Sequence, residues 1–526
     1  MPHTDPAAPA PAPAGPRPVA VIDIGASAVR LVIAELVPGG APQELEEVSR
    51  AVPLGRDTFS SGRIHAGTIE AAIRALSGFR RLMDQYRVGA YRAVATSAVR
   101  EAANADTFLD RIRVRTGLDI EVIDGAEESR LTYLGVREHL GTHASFLDGI
   151  ALVVEVGGGS AEVTLLERGQ PTASGVYPLG AIRMRQSLGS WYGSHDQRVR
   201  LLTRHIDNVV WDIKEEIPLG TATHVIALGS DVRFVAGQLP DVATDGPAEI
   251  PRDTFLAFCQ RLEGLDQEGL VDLYRLTPVD AETLVPALLV YRSLLAETAA
   301  TMVTVPDVSL RDGLFVDLGR ADRDAELTDF SRQVLASAAS LGEKYRVDAD
   351  HARQVARLAL RLFDELGEEH GLSRRDRLLL EVAALLHDIG NFVSLRGHHK
   401  HSQYLLSASQ IFGLSGDDHA LIANIARYHR RGVPQKSHLP YMALDREERV
   451  RVNKMAALLR VANALDAEHM QKVSDLRVGR DDDVWVLEVS GAGDLTMERL
   501  AVGSRTDLFA QVFGHELVFR GAGAGA

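Results

Sequence analysis

Short apolar runs alternate with helical stripes through the first three hundred residues or so, and this alternation predicts an α/β protein with a separate helical part behind it. The run Val19-Ala20-Val21-Ile22 and the segment 30–36 read as strands, and Ile69, Ile73, Leu76, Phe79, Leu82 and Tyr86 then recur at helical spacing. A short strand over 90–95 ends in Thr96-Ser97-Ala98-Val99-Arg100, whose small polar residues predict a ligand-facing loop. After a helix near 106–116, the strand Ile120-Glu121-Val122-Ile123 runs into Asp124-Gly125-Ala126-Glu127-Glu128-Ser129-Arg130, which opens a helix and places Glu128 near its start. A second strand-rich region begins at Ile150, continues through Gly175 to Arg183 and the strand 224–228, and closes near Asp317. The charged stretch 320–326 reads as a linker, helical spacing dominates from Phe330 to about His469, and strand signals return in Val484-Trp485-Val486-Leu487-Glu488-Val489. These shifts divide the chain into a tail (1–18), two lobes (19–145 and 146–319), a helical domain (327–469) and a small strand-rich α+β domain (470–520).

Composition narrows the class. A length of 526 residues predicts roughly three or four domains, and 45% hydrophobic with 25% charged residues is ordinary for a globular protein. The first eighteen residues carry seven prolines and no apolar core, so they read as a flexible tail rather than a signal peptide. No apolar stretch is long enough to span a bilayer, and Cys259 as the lone cysteine excludes an internal disulfide; both predict a cytoplasmic protein with no membrane partner. A formal net charge of −15 argues against general nucleic-acid binding.

Two turns carry the candidate chemistry. The run Ile150 to Val154 leads into Glu155-Val156-Gly157-Gly158-Gly159-Ser160-Ala161-Glu162, where glycines let backbone N–H groups approach an anion and flanking acids offer carboxylates to a cation or to water. The same design occurs earlier as Asp23-Ile24-Gly25-Ala26-Ser27-Ala28-Val29-Arg30, and the pair predicts a two-lobed site gripping phosphate from both sides. Further on, His398, His399, Lys400, His401, Arg427, His429, Arg430 and Arg431 concentrate groups that are or become cationic, which in an acidic chain predicts a track for a polyanion.

In order and spacing, DIGASAVRLVI at Asp23, ATSAVREAAN at Ala95, IDGAEESRLTYLGV at Ile123, VVEVGGGSAEV at Val153, YPLGAIRM at Tyr177 and SLRDGLFVDL at Ser309 resemble the exopolyphosphatase and guanosine pentaphosphate phosphohydrolase (Ppx/GppA) family. The HHKHS and ARYHRRG segments resemble the HD-type helical domain of its longer members. The resemblance implies two actin-like lobes of the ribonuclease H and sugar-kinase superfamily, a cytoplasmic homodimer, and an exopolyphosphatase releasing orthophosphate from inorganic polyphosphate, with guanosine pentaphosphate as the alternative substrate. It further implies Glu128 as the base that activates water, with Glu155 and Glu162 beside it. Asp23, Glu155 and Glu162 would hold magnesium, and Asp23, Gly25, Ser27, Arg30, Arg100, Gly157, Gly158, Gly159, Ser160, Gly229 and Ser230 would bind phosphate. The polyanion track would then guide polyphosphate.

The chain departs from the family pattern in places. Glu155 stands where the family usually has Asp, Ala26-Ser27-Ala28 where it has Ser-Asn-Ser, and Ala161 where it has Thr. In the helical part, His351, His387 and Asp388 match HD-type ligands for a divalent cation, but Asn463 occupies the place of the last ligand, and Asp466, three residues along the same expected helix face, is the candidate replacement. Two other classes fit the same turns: a phosphate-ligand sensor with little turnover, and an actin-like ATPase or sugar kinase that needs an acceptor.

Overall fold

The structure, a computed structural model, describes residues 17–36, 42–187, 193–239, 246–319, 323–430, 432–481 and 483–521. Nearly all of the expected tail, residues 320–322 of the expected linker, and Arg431 lie outside them. The chain divides into two units between Glu326 and Leu327. The charged stretch does not end as a linker: the backbone is helical from Arg323 to Lys344, as the helix formers Ala325, Glu326 and Leu327 favour.

In the first unit, β1 (Arg17–Ile24), β2 (Ala28–Leu36), β3 (Gln43–Ala51), β4 (Ala90–Ala95) and β5 (Glu121–Val122) form a five-stranded sheet in the order β3-β2-β1-β4-β5. A six-stranded sheet follows, built from β6 (Ile150–Val156), β7 (Ala161–Glu167), β8 (Gln170–Tyr177), β9 (His224–Leu228), β10 (Ala248–Pro251) and β11 (Met302–Val305) in the order β10-β11-β9-β6-β7-β8. Read from its other edge, β8-β7-β6-β9-β11 repeats the first sheet: an antiparallel meander whose first strand pairs in parallel with a later one. The expected strand over 120–123 pairs only at Glu121 and Val122, and Thr96 to Arg100 is not a loop but a helical turn over Ser97–Arg100.

Both faces of β1 and β2 are covered, which explains their nearly unbroken apolar runs. Ala20, Ile22, Ile24, Val29, Leu31 and Ile33 pack with Ile69, Ile73, Leu76 and Phe79 of the helix Ala66–Gln85. Val19, Val21, Val32 and Ala34 pack on the opposite face with Leu131, Leu310, Leu314 and Phe315. The last three belong to the helix Leu310–Gly319, so the end of the expected second lobe crosses back and completes the core of the first. That crossing needs Gly313, because a Cβ there would lie 1.9 Å from the Leu131 carbonyl oxygen.

The second unit is built on the helices Ala349–Glu365, Arg374–Leu386, His398–Ala408, Gly416–Arg427 and Arg446–Ala464. The strands β12 (Val473–Asp481), β13 (Val484–Gly491) and β14 (Glu516–Gly521) form a three-stranded sheet whose Val473, Leu476, Trp485, Leu487, Val489 and Leu517 share one core with those helices. The strand-rich end is therefore part of the helical unit rather than a domain of its own, since its sheet buries its apolar face in the core of those helices. Among the described residues no helix is long and apolar enough to cross a membrane. Gly313→Ala is expected to destabilise the first unit by about 1–3 kcal/mol through forced backbone separation, measured as a lower thermal midpoint at unchanged secondary structure.

Candidate active site

The repeated topology places the two glycine turns in matching positions. In the first, Gly25 N–H donates to the Ala28 carbonyl at 3.1 Å, and Asp23 pairs across the hairpin with Arg30. In the second, Gly157 N–H donates to the Ser160 carbonyl at 2.9 Å, and Glu155 pairs across the hairpin with Glu162. Both turns line one cavity of about 300 Å³, which takes in Asp23, Gly25, Ser27, Arg30, Glu128, Glu155, Gly157, Gly158, Gly159, Ser160, Glu162, Gly229 and Ser230. The turns approach closely: a Cβ on Gly159 would lie 2.1 Å from Ser97 Oγ, so the third glycine is fixed by space. Arg183 braces this contact, donating to the Gly159 carbonyl at 2.5 Å and lying 4.2 Å over the Phe59 ring.

Adjacent acids on one helix do different work. Asp124 caps the helix Gly125–Leu140, accepting from Glu127 N–H at 2.9 Å. Glu127 then turns into a structural network with Arg92, Arg130 and Asp317; burial opposes its charge, yet Arg130 and Arg92 hold its carboxyl below the ordinary value. Glu128 turns the other way, into the cavity, where burial raises its carboxyl and the Arg100 guanidinium, 3.2 Å away, works against that rise.

Arg100 is not among the residues lining the cavity. It donates to the Ile123 carbonyl at 2.6 Å and to Glu128, so it stands behind the expected base rather than on phosphate. Arg30 does line the cavity, one-third exposed and 3.3 Å from Asp23, and is not a free surface charge.

The acids form a buried, mutually repelling group. Burial and the charge of Glu128 push Glu155 up to about 7, against a 3.2 Å hydrogen bond from the Thr132 hydroxyl. Burial, Glu128 and Glu155 push Glu162 well above the ordinary range, and its Oε2 is buried without a hydrogen-bond partner. Asp23, Glu155 and Glu162 nevertheless form no closed cage: among the described residues, three ligand atoms come within 4.8 Å of one another only in the helical unit. An all-oxygen set of separated carboxylates suits magnesium, which takes one or two protein carboxylates and completes its shell with water and substrate phosphate.

Several cavity residues were not singled out from the sequence. Asp231 follows the Gly229-Ser230 turn and is pushed up to about 7 by burial and by Asp280. Arg233 and Arg311 also line the cavity, Arg233 donating to the Val308 carbonyl at 3.2 Å and Arg311 pairing with Glu47. Asp231 and Arg233 share the helix Ser230–Gln238, and Arg311 lies within the SLRDGLFVDL segment; their convergence on the cavity is what identifies them.

In the helical unit, the expected polyanion track is divided. His398 is buried because it shares a helix face, at intervals of four, with Ser402 and Leu406, and His429 is fully buried at the end of Gly416–Arg427. Both rings face Asp388, alongside His387, and neither is available to a track on the surface. Lys400 and Arg430 are exposed, and His399, His401 and Arg427 half-buried. Asp466 is not on a helix face with Asn463; the helix ends at Ala464, and Asp466 turns back to bond His351 Nδ1 at 2.7 Å.

Residues 32–321 match the model of the Ppx/GppA phosphatase family, and residues 334–501 match Ppx/GppA phosphatase, domain III. The chain is 25% identical over 454 residues to a guanosine-5'-triphosphate,3'-diphosphate pyrophosphatase of Photobacterium profundum, covering 84% of this chain and 85% of that protein. It is 23% identical over 505 residues to the protein of that name in Aliivibrio fischeri, covering 92% and 94%. A solved exopolyphosphatase from Cytophaga hutchinsonii aligns with a TM-score of 0.53 and 23% identity, over 58% of this chain and 97% of that one, and shares its α/β fold with mixed sheets. With the family model spanning over half of its length, the chain belongs to the Ppx/GppA phosphatase family.

Proposed function

We propose that the first unit hydrolyses a terminal phosphoanhydride bond, with guanosine 5'-triphosphate 3'-diphosphate as the leading substrate and inorganic polyphosphate second. The observation that carries this is Glu128, buried at the cavity wall between two glycine turns and held by Arg100. The sequence alone placed polyphosphate first. The order is reversed because relatives over most of the chain bear the guanosine substrate's name, and because His398 and His429 are withdrawn from the polyphosphate track.

The turns bind the terminal phosphate through the N–H groups of Gly157 to Ser160 and of the Gly25 turn. Water lying against Glu128 gives a proton to its carboxylate as the water oxygen bonds to phosphorus. The bridging P–O bond breaks in line, and its electron pair leaves on the remaining phosphate. Arg100 orients Glu128 and favours its ionised form, while Arg30 offsets the charge that develops on the phosphoryl oxygens. Asp23, Glu155 and Glu162 would hold magnesium, which when bound neutralises phosphate charge and polarises the phosphoryl group. Because Glu155 is one methylene longer than Asp, Glu155→Asp is the natural test of whether that reach is matched to this cavity.

Phosphate release from guanosine 5'-triphosphate 3'-diphosphate and from long polyphosphate, with and without magnesium, tests the reading. Glu128→Gln is expected to lower kcat on both by about 10²–10⁴-fold; turnover near wild type rejects Glu128 as the base, and no release from either substrate by the wild type rejects the function. Arg100→Gln is expected to lower kcat with KM little changed, since Arg100 touches the base and not phosphate; an equal rise in KM makes it a phosphate ligand.

The raised carboxyl of Glu155 also has a stability signature. A folded-state value near 7 against an ordinary 4.5 means that the folded protein holds this proton more tightly than the unfolded chain. Its contribution is therefore present below the ordinary value and is lost as pH rises through about 7. In magnesium-free protein, Glu155→Gln is expected to raise the thermal midpoint above neutral pH and to leave it near wild type in acid. Parallel midpoint curves for the two proteins across that range remove the buried charge from the account.

A further inference from the structure

The second glycine turn is held from behind, and the way it is held decides which way its backbone donors face. Ala181 N–H donates to the Gly157 carbonyl at 2.9 Å, the N–H groups of Ile182 and Arg183 donate to the Gly158 carbonyl at 2.9 and 3.0 Å, and Arg183 Nε donates to the Gly159 carbonyl at 2.5 Å. The backing segment lies against the turn itself, since a Cβ on Gly180 would lie 2.2 Å from the Gly159 carbonyl carbon. No peptide bond among the described residues is cis, and in a trans peptide the N–H points opposite to the carbonyl of the same plane. The N–H groups of Gly158, Gly159 and Ser160 are therefore turned away from Ala181 to Arg183. All three residues line the cavity, and none of these N–H groups has a hydrogen-bond partner among the described residues.

Arg183 does more than complete this backing. It is not among the residues lining the cavity, so it acts on an anion there only through the turn. Its guanidinium also pairs with Glu101, at the end of the helical turn Ser97–Arg100, and lies over the Phe59 ring of the helix Leu54–Ser61. Both partners belong to the half of the cleft built on the first sheet. That helix is fastened in turn to the first glycine turn: Gly55 N–H donates to the Ala26 carbonyl at 2.8 Å, and Val52 N–H, just ahead of the helix, donates to the Ser27 carbonyl at 3.0 Å. An unbroken path thus runs from the carbonyls of the first turn, through this helix and Phe59, to Arg183 and the carbonyls of the second. A planar guanidinium serves three partners at once, with N–H groups for Gly159 and Glu101 and a face for the ring. A lysine ammonium has no such fork.

We propose that Arg183 is a positioning residue for phosphate: it sets the donors of the second turn toward the anion and, through Glu101 and Phe59, couples them to the first turn, so that both turns close on one phosphoryl group together. This role rests on the reading of the cavity as a phosphate site, and the binding arm of its test needs no turnover. Arg100 and Arg183 divide the work, Arg100 bonding the base and Arg183 bonding the turn.

The test is calorimetric binding of orthovanadate and of inorganic phosphate to full-length protein with magnesium, beside phosphate release from guanosine 5'-triphosphate 3'-diphosphate. Arg183→Lys and Arg183→Gln are each expected to weaken both anions about 10–100-fold and to raise KM, because displaced donors lose contact with phosphate in the ground state as well as in the transition state. The pH profile of kcat/KM is expected to keep its wild-type midpoints, since Glu128 retains Arg100; a general loss of structure would not spare it. Glu101→Gln leaves the Gly159 bond in place and is expected to weaken both anions in the same direction by a smaller factor. Wild-type anion affinity in both Arg183 variants overturns the proposal, and wild-type affinity in Glu101→Gln beside weakened Arg183 variants overturns the coupling between turns. A wild type that binds orthovanadate but releases no phosphate rejects the hydrolase reading alone, and the anion affinities of the variants still decide the role of Arg183. A wild type that binds neither anion overturns both.

Discussion

Three glutamates buried together in one cleft are the condition that the first unit is arranged to sustain. Burial raises all three carboxyls, and the charge of Glu128 raises Glu155 and Glu162 further, because each charge is costly out of water and beside another. Arg100 works against this at Glu128 and at Glu162, and Thr132 eases it at Glu155. The residual repulsion makes the cleft receptive to cations, and it makes a proton taken from water by Glu128 easy to hold. The Arg92, Glu127, Arg130 and Asp317 network on the reverse side of the same helix supplies paired charges that anchor it, so that the strained acids and the satisfied ones share one rigid support.

Much of this was legible in the sequence where one segment carries the whole signal. The turns at Asp23 and Glu155 declare themselves through glycines, small residues and a preceding apolar run, and the helix opening at Asp124 declares itself through its cap. What was not legible depends on convergence. Glu127 and Glu128 are equivalent in composition, and only the direction of each side chain separates an anchor from a cavity acid. Asp231 and Arg233 enter the cavity from a segment with no motif of its own, and Arg311, though inside the SLRDGLFVDL segment, gives no sign in sequence that it faces the cavity. The histidine-rich segments read as a cationic track because burial cannot be counted from composition; the interval from His398 to Ser402 to Leu406 was the available clue that one ring faces inward.

The division between the two units also explains why a long chain carries two unrelated kinds of polar cluster. The first unit presents oxygen donors and backbone N–H groups, a chemistry for phosphate and for hard cations. The second presents imidazoles turned inward within the helical core. Family membership covers both segments.

The helix Leu310–Gly319, which leaves the second sheet to finish the core of the first, has a mechanical consequence. The polypeptide passes between the two halves of the cleft twice, once between Leu140 and Ile150 and again between Val305 and Leu310. Two passes define a line where a single tether would define a point. Two connections restrict how the halves can be displaced from one another more than one would, and so help to keep the two glycine turns in register.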